Sequence, residues 1–136
     1  MIMKLNVIYV CANKMKKENS ELQRTITKAA NELGNKIVQY YDCGVNFNNI
    51  YNAENIKYDK HGDYFYTYKA HGKNKSQLRL LYACVQSEDV TFLIIVDYIE
   101  KRKTNLKGRK DHLEKFSKYD SLDFSLFCKH NNICIA

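Results

Sequence analysis

Three strand-like runs follow one another between Tyr64 and Ile99, joined by links too short for anything but hairpin loops. Residues 64–70, 77–86 and 90–99 are rich in aromatic and β-branched side chains, and the links at 71–76 and 87–89 carry Gly, Asn, Ser and Asp. A chain built this way is committed to an antiparallel meander. Directly after the third run comes the basic cluster Lys101-Arg102-Lys103. Arginine and lysine side chains would then be held on a stiff sheet and at its rim, where they can grip a phosphate backbone.

The remaining elements frame that meander. Leu5, Val7, Tyr9 and Cys11 alternate on one face of an N-terminal strand, while Ile8 and Val10 make its other face apolar too. That pattern predicts an inner strand covered on both sides. Ser20 and Gln23 have capping-box spacing, and Leu22, Ile26, Ala29, Ala30 and Leu33 recur at helical spacing before Gly34, which is expected to stop the helix. Residues 36–41 read as a strand. Residues 42–62 have no clear period, and Phe47, Tyr51, Tyr58 and Tyr64 either cover the sheet edge or stack on bases. Leu106, Leu113 and Phe116 share one face of a short basic helix over 105–119, and Leu122, Phe124 and Leu126 alternate as a last strand would. The predicted fold class is α+β: a mostly antiparallel twisted sheet, an amphipathic helix before it and a short basic helix after the last long strand.

The length of 136 residues fits one domain, here with an irregular insertion at about 42–62 and a C-terminal extension over 120–136. Charge is uneven within it. The formal net charge is +7, and residues 69–118 hold twelve Lys/Arg against six Asp/Glu. A basic half points to a polyanion partner. The competing reading is a solvated lysine surface in a biased composition, with fourteen Asn and no Pro. Five cysteines without zinc-site spacing read as free thiols in a reducing compartment. With no signal-peptide pattern and no apolar run long enough for a membrane span, the expected location is the cytoplasm, away from membranes.

Arg79 stands in an otherwise apolar strand. If the second hairpin pairs symmetrically about Glu88, Arg79 lies opposite Asp97, with Tyr68 beside it on the same face. The plain reading is a cross-strand ion pair with Asp97; the functional one is a guanidinium fork for a phosphate. Lys101, Arg102 and Lys103 would meet Lys73 and Lys75 at one end of the sheet. Metal-free cleavage of RNA needs a base for the 2′-hydroxyl, cations for the phosphorane and an acid for the leaving 5′-oxygen. His112 and His71 are the candidates for proton transfer, ahead of His61 and His130.

The order of strand, amphipathic helix, variable segment, aromatic strand, Gln77-Leu-Arg-Leu-Leu-Tyr82, apolar strand, Lys101-Arg102-Lys103 and closing helix resembles the RelE/HigB-like toxins of bacterial toxin–antitoxin systems. The similarity is best over residues 64–119. It implies a RelE-like fold and an mRNA endoribonuclease acting on ribosome-bound message without cofactor or metal, with the ribosome and a cognate antitoxin protein as partners. It also implies that Arg79, Lys101 and Arg102 contact the scissile phosphate, assisted by His112. The basic half itself offers Lys69, His71, Lys73, Lys75, Lys103 and Lys107 as residues that grip the strand. The sequence departs from the family in its aromatic strand, where Tyr64, Tyr66 and Tyr68 replace the usual lysines. Relatives of this fold inhibit DNA gyrase instead of cutting RNA. The competing function is a non-catalytic phage or mobile-element protein that binds nucleic acid, or inhibits a partner protein, through the same basic face.

Overall fold

The computed structural model describes residues 4–42, 60–61, 64–71, 77–87, 90–101 and 115–133. Strand β1 (Lys4–Tyr9) leads through the single-turn helix α1 (Ala12–Met15) into α2 (Ser20–Asp42). Strands β2 (Lys60–His61), β3 (Phe65–His71), β4 (Gln77–Ser87) and β5 (Val90–Lys101) follow, then a 3₁₀ turn (Ser117–Tyr119) and helix α3 (Phe124–His130). The architecture is α+β. One five-stranded sheet has the order β1-β5-β4-β3-β2; β1 and β5 are parallel and the other neighbours antiparallel.

The meander forms as the sequence predicts, but among the described residues β1 is an edge strand, not an inner one. Its two apolar faces have a different cause: each packs on a separate core. Leu5, Val7 and Tyr9 pack under α2 with Ile26, Ala30, Leu33, Leu80 and Leu93. Ile8 and Val10 join Leu81, Ile94, Phe116 and Phe127 on the other side. Ile94 therefore belongs to the face away from α2.

Helix α2 runs through both the predicted stop and the predicted strand. Ile37, buried like Leu33, extends the stripe by one more turn, so packing on the sheet overrides the strand preference of residues 36–41. Gly34 is a site of close approach: a Cβ there would lie 2.5 Å from Leu5 Cδ2. The cap also shifts by one residue. Asn19 Oδ1 accepts from the Leu22 N–H, and Gln23 Nε2 donates to the Glu18 carbonyl.

The expected strand at 122–126 is helix α3. Asp123 caps it by accepting from the Leu126 N–H, and Phe127 and Cys128 are its buried residues. Leu122 and Leu126, which suggested alternation, are exposed. This C-terminal segment covers the face opposite α2, with Phe116, Phe127, Cys128 and Ile133 on Phe65, Leu81, Ala83 and Val96. His61 is sealed beneath it, 2 % exposed, its Nδ1–H donating to Asp120 Oδ1 at 3.0 Å and its ring edge-on to Phe116. The predicted helix over 105–119 lies mostly outside the described residues, as do the hairpin loops and nearly all of 42–62.

Candidate functional site: a cationic sheet end and an acidic edge cleft

The strand register decides which cations meet. Lys69 pairs with Arg79, and Arg79 with Ile99; two positions further on, His71, Gln77 and Lys101 form the next row. Side chains two apart share a face, and Phe65, Leu81 and Ile99 all belong to the core opposite α2. Lys69 and Arg79 thus lie on that face, and the backbones of His71 and Lys101 belong to the next row. Lys69 is exposed and Arg79 half-buried. Opposed cations at one ladder position are placed to engage one anion together.

The expected opposition of Arg79 and Asp97 is not formed. Ser87 pairs with Val90, so the hairpin turns on two residues and not symmetrically about Glu88. A bulge then adds a second slip: Tyr82 faces Ile95, Leu81 faces Asp97, and Val96 is the extra residue. Tyr68 pairs with Leu80 and lies in the α2-side core, so it does not neighbour Arg79 on the same face. Unbroken alternation would have put Asp97 under α2 after Leu93 and Ile95. The bulge gives that place to Tyr98 and releases the carboxylate toward α1.

There Lys14 Nζ donates to Asp97 Oδ1 at 2.7 Å and to the Tyr98 carbonyl at 2.9 Å, and sits 4.3 Å from the Tyr98 ring centroid. Asp97 also accepts from the Tyr98 N–H, and the Tyr98 hydroxyl donates to Glu18 at 3.0 Å. These contacts line a cleft of about 330 Å³ with Leu22, Ile99, Glu100, Lys115 and Phe116. It opens because β1 stops opposite Ile95 while β5 continues to Lys101. Among the described residues, no strand pairs with β5 there on the β1 side. Lys14 and Asp97 instead satisfy the backbone of Tyr98, which blunts an open edge.

Electrostatics separate the two parts of the site. Three carboxylates face two lysines in the cleft, and Lys14 is already engaged by Asp97. The cleft is therefore a poor place for a phosphate, whereas the Lys69–Arg79 row suits one. Burial and the charge of Asp97 push the Cys11 thiol up to about 11, and burial also raises Cys84 and Cys128. Among the described residues, burial thus favours the protonated form of these three free thiols. Burial, then the hydrogen bond to Glu18 and its charge, raises the Tyr98 phenol. Among the described residues, no group of three or more His, Cys, Asp or Glu is placed to hold a metal. No helix there is long and apolar enough to cross a membrane.

Of the residues singled out from the sequence, Lys69 and Arg79 come together, and the backbones of His71 and Lys101 lie one row away. Lys73, Lys75, Arg102, Lys103, Lys107 and His112 lie outside the described residues. Sequence reasoning missed the cleft, whose hydrogen bonds join positions 80 to 84 residues apart. It also passed over the His61–Asp120 pair. Compared with known protein families, characterised proteins and solved structures, the chain matches none.

Proposed function

We propose that the chain binds single-stranded RNA across the end of the β3–β4–β5 sheet and cleaves it by attack of a 2′-hydroxyl, as an mRNA endoribonuclease of RelE/HigB-like type. The observation that carries this reading is the direct opposition of Lys69 and Arg79 on one face, with His71 and Lys101 in the adjacent row. Two cations at neighbouring ladder positions match the paired oxygens of a phosphate, and the arginine fork adds bidentate geometry. The element order behind the resemblance supports the same reading: β1, α2, the aromatic β3, Arg79 in β4, then the apolar β5 ending at Lys101.

In the proposed mechanism Arg79 and Lys101, with Arg102, neutralise the charge that grows on the phosphorane. Lys69 holds the adjacent backbone. His112 or His71 takes the 2′-hydroxyl proton and returns one to the 5′-oxygen. Message on the ribosome is the proposed substrate, the cytoplasm the proposed location, and a cognate antitoxin the proposed protein partner. Transcript mapping after induced expression tests the activity. Cleavage in the presence of ribosomes and a chelator is expected, with Arg79→Ala about a hundredfold slower at unchanged folding, by analogy with loss of an oxyanion donor. Intact transcripts beside the wild-type protein would leave only the binding reading.

A further inference from the structure

We infer that Tyr64 is a stacking platform for one base of the same RNA strand, a proposal that rests on the reading just given and adds a second contact to it. Tyr64 stands immediately before β3 with 51 % of its surface exposed. It is not a loose side chain. Its ring stacks on Phe124 at 4.5 Å between centroids and 12° between planes. Phe124 is held in turn by Phe65 at 5.8 Å and Phe127 at 6.1 Å, both buried in the core.

This is a ladder with a fixed inner end and an accessible outer ring. An aromatic ring already fixed by its neighbours loses little freedom when a base joins the stack, and every base has a π-face to offer. A cation lies on the same ladder: Lys118 Nζ is 5.2 Å from the Tyr119 ring, which is 5.3 Å from Phe65. Lys118 is exposed and available to the phosphate beside a stacked base.

The spacing links the platform to the cationic row. Tyr64 and Lys69 are five residues apart along extended chain, about 17 Å at strand rise. At the ~3.4 Å spacing of stacked nucleotides that span holds up to about five of them. Phosphates at the Lys69–Arg79 end and a base on Tyr64 therefore belong to one short strand. Stacking is indifferent to base identity, so this contact lengthens the site without selecting a sequence.

The chain contains no tryptophan, so Tyr64→Trp introduces a single indole reporter. An eight-nucleotide oligouridylate and inorganic polyphosphate are titrated at low salt, with binding followed independently by light scattering or calorimetry. The oligonucleotide is expected to quench the indole, and polyphosphate to bind without quenching. Tyr64→Leu, which keeps an apolar cover over Phe124, is expected to weaken oligonucleotide binding about five- to a hundredfold, the loss of one stacked base. Polyphosphate affinity and melting temperature should stay unchanged in that variant. If the oligonucleotide binds with no quenching and Tyr64→Leu has wild-type affinity, the platform is wrong while the cationic row stands. If Tyr64→Leu lowers the melting temperature, or weakens both ligands equally, Tyr64 is part of the fold and the inference is overturned. If neither polyanion binds, the row and the platform fall together.

Discussion

On the α2 side of the sheet, apolar burial continues to the last rows of the meander, where Ala70, Leu78 and Tyr98 are all covered. On the opposite side it ends sooner in β3 and β4, where the row after Thr67 and Leu81 carries Lys69 and Arg79 beside the buried Ile99. Adjacent rows of β3 and β4 thus carry a buried apolar pair on one face and two opposed cations on the other. Among the described residues, Ala70 and Leu78 are buried on the α2 face, while Lys69 and Arg79 stand opposed on the other, a pair that one bound anion would engage together.

The largest expected effect tests whether the second face has a true core. Phe116→Ala should cost about 3–5 kcal/mol and Leu80→Ala about 2–5 kcal/mol, since both side chains are fully buried on their respective faces. Chemical denaturation of the two variants checks this. A cost under about 1 kcal/mol for Phe116→Ala would mean that residues 115–133 only rest on the sheet.

Alkaline stability is expected to be lost next, and from the α2 side and the cleft. Cys11 and Tyr98 both have folded values above their unfolded ones. Their stabilising contribution is complete below the unfolded pKa and is lost as pH rises through the folded value. For Cys11 that window runs from about 9 to about 11, and for Tyr98 it begins near 10. Melting temperature should fall across it, and Cys11→Ala should flatten the lower part of the fall. An identical pH profile in Cys11→Ala would contradict the assigned cause.

A smaller effect separates the cleft from the row. Asp97 is paired with Lys14 and lies two ladder positions from the partner of Arg79. Arg79→Ala and Asp97→Asn should therefore be additive in stability within about 0.5 kcal/mol. Rescue of Arg79→Ala by Asp97→Asn, measured as a double-mutant cycle, would restore the ion pair that the sequence alone suggested.

The regular, local parts of the fold were legible because short spacings determine them. The stripe from Leu22 to Leu33 and the two hairpins needed no long-range information. Gly34 misled because its missing side chain serves contact with Leu5, 29 residues away in sequence, and not chain reversal. Residues 36–41 carry strand-forming side chains, yet Ile37 continues the helical stripe. Leu122, Phe124 and Leu126 imitate alternation, while burial follows Phe124, Phe127 and Cys128 at helical spacing. Within the site, Arg79 was visible as a cation in an apolar strand. Its neighbours were not, because one residue of loop and one bulged residue moved every pairing in β4 and β5. The cleft left no local trace, since Lys14 and Glu18 meet Asp97 and Tyr98 only after the sheet has closed.

The central claim is that the Lys69–Arg79 end of the β3–β4–β5 sheet is where a polyanion binds, and the salt dependence of RNA affinity tests it most directly. Single-stranded RNA affinity is measured for the wild type, Lys69→Ala and Arg79→Ala over a range of salt concentrations. The wild type should lose affinity steeply with salt. Each substitution should reduce the slope of log K against log salt by up to about 0.7, the share of one phosphate contact on a single strand. Equal slopes for all three proteins, or a complex insensitive to salt, would contradict the account.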